Sequence, residues 1–466
     1  MRTRIAALAA ALAFLLAGCA SASASTTVTV TVGYQSKTIN TVTAGTLLKS
    51  LGYFEARLSA LGKKTGKKYQ VVWQDYDTGA PITAQMVAGK IDIGSMGDYP
   101  MLINGSRSQH LSDNRTEMVS VTGYNLRGAL NMVVVPPSST ATTLHDLAGQ
   151  KVSTSIGSAA HGTLVHALAE AKVGNVQVLN QQPQVGASAL QAGSVAALAQ
   201  FVAWPGQLVF ANQAKLLYDG GDLNVPTLHG VVARTGFASA EPDVLTAFLQ
   251  AQIQATQYLW QHPLAAAESV AAATGLAPEV VYLYNGPNGM VTFDPTLKPV
   301  LRKAMSGDVP FLKSIGDLDT LDVNSFVNDG PLRAAEGSAY AADTARTANP
   351  ARLTGTDPVC GVPVGNPATA SETWLDGEQT THASATPTCL LRFVKAGGKK
   401  VRAAYVPDAS TGTRWFADKD IWVDDASKPA NDRLLPFTTE SGARDYLATH
   451  PGSTQLTYAA ALAAAV

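Results

Sequence analysis

Residues 151–164 read KVSTSIGSAAHGTL: a short β-branched run, a turn at Gly157, then a helix opening at Ser158. A strand that turns sharply into a helix belongs to an α/β architecture, with the turn at the carboxyl end of the strand. Serine at the N-cap accepts from the first helical turn. The remaining free N–H groups point out of the helix end, where the helix dipole favours an anion. Taken alone, the same pattern fits any strand-to-helix turn. Residues 91–100, IDIGSMGDYP, follow the same plan earlier in the chain. Two such turns facing one another predict a cleft.

The surrounding periodicity agrees. Residues 28–34 alternate threonine and valine, and β-branched runs recur at 69–75, 91–95, 119–122, 130–135, 176–179 and 228–233. Between them lie helical patterns at 44–61, from Gly79 to Gly89, at 161–171 and at 185–193, with further helices at 242–262, 264–274 and 278–284. Strands alternating with helices predict a mostly parallel sheet.

Residues 1–18 read as an address. Arg2 and Arg4 precede the apolar run 5–17, which is too short to span a bilayer and has the length of a signal-peptide core. The run ends in Leu16, Ala17, Gly18 and Cys19, which resembles a bacterial lipobox and implies a lipid on Cys19. Residues 19–27 are then a flexible tether at the membrane. The remaining ~450 residues exceed one typical domain, so more than one core is expected. The 34 basic and 35 acidic residues leave a net charge of −1, which argues against a nucleic-acid partner. Three cysteines exclude a disulfide scaffold.

Residues 45–54, 73–79, 88–100, 144–158 and 190–205 together resemble the substrate-binding proteins of ABC importers for nitrate, sulfonates and taurine. The resemblance implies a two-lobed α/β periplasmic-binding-protein (type II) fold over residues 28–335, closing on its ligand by a hinge. Lobe 1 takes about 28–125 and 229–335, and lobe 2 about 126–228. It further implies a small anionic or zwitterionic ligand, delivery to a permease and its ATPase, and a monomer outside the cytoplasm. Carried onto this chain, the family's ligand contacts fall on Gln35, Ser36, Gly79, Asp98 and Tyr99 of lobe 1. From lobe 2 they fall on Ser155, Gly157, Ser158, His161, Trp204 and Asp219. Asp98 is expected first as the cap of the following helix; facing the cleft it would favour a ligand with an amine. Ala196 stands where an aspartate often occurs in the family.

A catalytic reading finds less support. Gly157, Ser158 and His161 do not make a nucleophile elbow, and His161 and His166 are five apart, off one helical face for a zinc pair. The fold is shared with thiamin-pyrimidine precursor proteins, some of them enzymes, so an enzyme on that scaffold remains an alternative; the expectation is no enzyme and no cofactor.

Residues 336–355 read as a linker, and 356–466 as an α+β domain with strands at 401–406 and 413–422 and a helix at 441–449. This tail resembles the NosL family of copper-associated lipoproteins, with Val362 where that family has methionine. Cys360 and Cys389 are expected either as a disulfide or, with His382, as copper ligands. The tail leaves a second functional alternative, a copper-handling or sensing lipoprotein.

Overall fold

The computed structural model describes residues 27–466, so the expected signal segment 1–18 and the lipid-bearing Cys19 lie outside the described residues. The strands of the two lobes are β1 (Thr27–Tyr34), β2 (Lys68–Asp75), β3 (Ile93–Gly97), β4 (Thr116–Asn125), β5 (Asn131–Val135), β6 (Lys151–Thr154), β7 (Gln177–Asn180), β8 (Ala197–Phe201), β9 (Lys215–Asp219), β10 (Thr227–Arg234) and β11 (Thr292–Phe293). Lobe 1 is built on a six-stranded sheet in the order β11–β4–β10–β3–β1–β2, and lobe 2 on a five-stranded sheet, β7–β6–β8–β5–β9. The chain crosses from β4 to β5 and returns from β9 to β10.

Local sequence explains the elements. In β1 the alternating valines Val30 and Val32 turn inward and are fully buried. The inner strands β5 and β8 are buried at every residue and, apart from Asn131 and Gln200, are apolar. The sheets are mixed rather than mostly parallel. β10 runs antiparallel to β3 and β4, and β5 runs antiparallel to β8 and β9, because both crossover strands carry the chain back against their neighbours. The helix expected over 44–61 is also divided. Thr46–Leu51 ends at Gly52, whose left-handed backbone (φ 65°) closes the helix and reorients the chain into Tyr53–Thr65.

Residues 336–355 are not a free linker. Their first part folds as the helix Tyr340–Ala345, with Tyr340 buried in the lobe 1 core and its hydroxyl donating to Asp329 Oδ2 at 2.5 Å. Lys298, fully buried, donates to the Asp343 carbonyl at 2.6 Å and pairs with Asp294 at 3.0 Å. The tail then contributes β12 (Gly355–Thr356), β13 (Pro363–Val364), β14 (Ser371–Leu375), β15 (Thr381–Ser384), β16 (Val401–Pro407) and β17 (Arg414–Phe416), followed by β18 (Ile421–Asp424), β19 (Leu434–Phe437) and β20 (Thr454–Leu456). Its sheets are ordered β15–β14–β16–β17 and β19–β18–β20, with β12 and β13 a separate pair. Trp374, Tyr405, Trp415 and Phe416 are buried in one cluster with Leu208 and Val209 of lobe 2 and Tyr282 and Tyr284 of lobe 1. The tail therefore shares a core with the lobes. No described helix is long and apolar enough to cross a membrane.

Candidate functional site between the lobes

The turn after β6 has the geometry its sequence predicts. Gly157 adopts φ 80°, and Ser158 caps the helix Ala159–Glu170 by accepting from the His161 N–H at 3.2 Å. Ala159 and Ala160 occupy the first two helical positions, whose N–H groups have no carbonyl within the helix to meet. Ser155 donates to the Gln181 carbonyl and accepts from Gln200 Nε2, both at 3.0 Å. That fixes the loop against β8. Gln200 Oε1 and Thr154 Oγ1 are left buried and unpaired among the described residues, so this edge of lobe 2 has unused polar capacity.

Lobe 1 brings up its own strand ends. Gln35, buried after β1, donates to the Ser95 carbonyl at 3.2 Å, and the Ser36 N–H donates to Asp75 Oδ1 at 2.8 Å. Lys37 follows, and its Nζ lies 5.6 Å from the Trp204 ring centroid, across the cleft at the start of the lobe 2 helix Trp204–Phe210. Among the described residues Lys37 has no carboxylate partner. Asn40 and His229 meet at 2.6 Å, and burial pushes the His229 imidazole down to about 3, so it is neutral. Gly97 packs tightly on this pair, since a Cβ would sit 3.1 Å from His229 Nε2.

The lobes are closed on one another. Tyr99 of lobe 1 covers Gly162 of lobe 2, where a Cβ would come within 1.8 Å of the tyrosine ring. Ile103 packs against Gly157, and His166 meets Phe311 edge to face at 3.8 Å between centroids. His161 Nδ1 lies 3.9 Å from Asp317 Oδ2; burial holds the imidazole below its ordinary value, and Asp317 opposes that shift. A cavity of about 20 Å³ remains, lined by Asp98, Tyr99, Asn131, Thr163 and Asp308. It has room for about one water molecule.

Several expected contacts take other partners. Asp98 is the first residue of the helix Asp98–Ser108 rather than its cap, and Oδ1 accepts from the Tyr99 N–H at 2.9 Å. Its Oδ2 accepts from Thr227 Oγ1 at 2.8 Å and the Leu228 N–H at 3.0 Å, which ties the helix start to β10. Gly79 is a packing residue, with Pro100 2.6 Å from where its Cβ would be. Asp219 is turned to the tail: its Oδ2 accepts from Thr413 at 2.5 Å and Thr411 at 3.0 Å. Cys360 and Cys389 form a disulfide, leaving no free thiol there for copper. His382 pairs instead with Glu378 at 2.6 Å. Lys37 and Gly162 are the interlobe residues that sequence reasoning missed; Lys37 lies in the same loop as Gln35 and Ser36.

Residues 103–266 match the family model described as NMT1/THI5 like. The chain is 27% identical over 232 residues to the taurine-binding periplasmic protein of Escherichia coli (strain K12), covering 48% of this chain and 68% of that one. It is 27% identical over 177 residues to a putative aliphatic sulfonates-binding protein of the same organism, covering 38% of this chain and 53% of that protein. Among solved structures, the alkanesulfonate-binding protein SsuA from Xanthomonas axonopodis pv. citri, bound to MOPS, superposes with a TM-score of 0.54 at 23% identity. The match covers 64% of this chain and 98% of that one. The periplasmic nitrate-binding protein NrtA from Synechocystis PCC 6803 gives 0.51 at 12% identity, covering 72% and 95%. The two sheets, the crossovers and these superpositions identify the chain as carrying a two-lobed periplasmic-binding-protein fold followed by an additional C-terminal region.

Proposed function

We propose that the protein is the extracytoplasmic solute-binding component of an ABC importer, taking a small sulfonate or related anion between its lobes and delivering it to a permease and ATPase. The observation that carries this reading is the pairing across the cleft of the Ser158-capped helix end with the strand-end loops of lobe 1. Backbone N–H groups at Ala159 and Ala160 would give a sulfonate oriented donors, and Lys37 beside Trp204, without a carboxylate partner among the described residues, would add a positive charge from lobe 1. The taurine- and sulfonate-binding relatives support this solute class. A lipid on Cys19 would keep the carrier at the membrane.

A carrier fits the side chains better than an enzyme. The Ser155 hydroxyl donates to a backbone carbonyl, and the His161 ring receives the Gly157 N–H at 3.4 Å, so neither serves as a nucleophile–base pair. Calorimetric titration with taurine, ethanesulfonate and nitrate tests the proposal. Saturable one-to-one binding of a sulfonate without turnover supports it; heat-silent titrations with all three, and no thermal stabilisation, reject it.

A further inference from the structure

The tail meets both lobes, by unequal means. Toward lobe 1, Glu372 accepts from the Tyr282 hydroxyl at 2.7 Å, and Arg414, paired with Glu372 inside the tail at 2.6 Å, donates to the Pro287 carbonyl; both charged side chains are almost fully buried. Arg402 pairs with Glu279 at 2.7 Å, and the Tyr405 hydroxyl donates to the Glu279 carbonyl at 2.9 Å. Trp374 and Tyr405 each stand 5.6 Å from the Tyr282 ring. Toward lobe 2 the contact is slighter. It comprises the Thr411 and Thr413 hydroxyls on Asp219, Phe416 against Phe210 at 5.2 Å, Lys419 on Asn212 at 3.0 Å, and the apolar cluster shared with Leu208 and Val209. Asp219 ends β9, immediately before the return crossover. Thr413 Oγ1 also lies 2.9 Å from where a Cβ on Gly221 would be, so the tail's 408–413 turn sits against that crossover.

We infer that the C-terminal domain is a latch on the hinge: it travels with lobe 1 and holds lobe 2 closed through Asp219 and Phe210. Opening about the two crossovers moves lobe 2 away from lobe 1, and a rigid tail cannot follow both. Leaving lobe 1 would break the Arg402–Glu279 ion pair and strip the almost fully buried Glu372 and Arg414 of their Tyr282 and Pro287 partners, which is costly because buried charged groups lose hydrogen bonds. The lobe 2 side holds no ion pair to the tail among the described residues, only hydroxyl and amide contacts and apolar packing, and parts more readily. On release Asp219 keeps the Gly221 N–H, 2.8 Å away, and gains water, so the latch is reversible. Contacts made only in the closed form shift the equilibrium toward it.

The test needs no ligand. Spin labels at Lys64→Cys on lobe 1 and Glu170→Cys on lobe 2, both exposed positions, report the interlobe distance in the full chain by pulsed electron resonance. Thr411→Val with Thr413→Val removes the hydroxyl contacts, and Phe210→Ala separately removes the ring contact from the lobe 2 side. The expected result is one narrow distance for the parent and a second, longer population in each variant, with the open-to-closed ratio raised at least tenfold. A parent that is mostly open without ligand, or a folded variant whose distance distribution superimposes on the parent's, overturns the latch. Because no ligand is present, that outcome leaves the solute-binding proposal to its own titration.

Discussion

Tyr99 and Gly162 come from opposite lobes and occupy each other's space so fully that a methyl group on Gly162 would lie 1.8 Å from the Tyr99 ring. Closure therefore depends on a missing side chain. Gly162→Ala is expected to prop the lobes apart and weaken taurine or ethanesulfonate binding at least tenfold, about 1.4 kcal/mol. Adding Tyr99→Ala should restore part of it. Small-angle scattering of Gly162→Ala should show a larger radius of gyration; an unchanged radius with unchanged affinity would mean that closure does not bring these residues together.

Ser158→Ala removes the cap of the helix Ala159–Glu170. Loss of an N-cap costs about 1 kcal/mol of stability. If the helix end holds the anion, affinity should fall further than stability, by about tenfold. Denaturant melts and calorimetry on the same variant separate the two effects.

Lys37→Met keeps the length of the side chain and removes its charge. For an anionic ligand we expect affinity to fall ~3–10-fold, since cation and charge effects at a half-exposed site are worth about 1 kcal/mol. The salt dependence of binding should flatten at the same time. Lys37→Arg should retain most of the affinity. Equal affinity of Lys37→Met and parent at low salt would remove Lys37 from the site.

His229 is neutral in the folded protein, with a pKa pushed down to about 3 by burial. Its unfolded value is near 6.5, so between those limits the unfolded chain takes up a proton that the folded chain refuses. Stability contributed by the neutral ring is full above pH 6.5 and is lost as pH falls toward 3. His229→Gln should flatten the pH dependence of the unfolding free energy in this window by up to about 1.4 kcal/mol per pH unit. A parent profile level from pH 7 to 4 would contradict it.

The Cys360–Cys389 disulfide joins the start of the tail to the helix Pro387–Ala396. Cys389→Ser should destabilise the tail by about 2–5 kcal/mol. Thiol labelling of the oxidised, denatured parent should leave these two cysteines unmodified; labelling both would show the bond is absent in solution.

Strand-to-helix turns carry their own signatures, which is why the Gly157–Ser158 turn and the Asp98–Ser108 helix were legible in the sequence. The β-branched run of β5 was equally plain. What escaped were relations between distant segments. Nothing near Gly162 announces Tyr99, and a lone lysine at 37 looks like any surface lysine until Trp204 lies beneath it. Asp219 misled for the same reason. Its position at a strand end fits a ligand contact, but Thr411 and Thr413, nearly two hundred residues away, take its carboxylate. Gly52 shows the smaller error, in which a good helical periodicity conceals a break because only one backbone angle changes.

The buried meeting of Glu372, Arg414 and Tyr282 also bears on how this chain can be divided. A cut near residue 336 looks natural on paper, yet it would bare Tyr282 on one product, and Trp374, Tyr405 and Phe416 on the other, as an apolar surface of the kind that drives association. It would also sever Tyr340 from the lobe 1 core it helps to fill. The additional domain is thus no detachable cargo. A substitution among the tail's aromatic residues therefore reaches the core of the lobes directly.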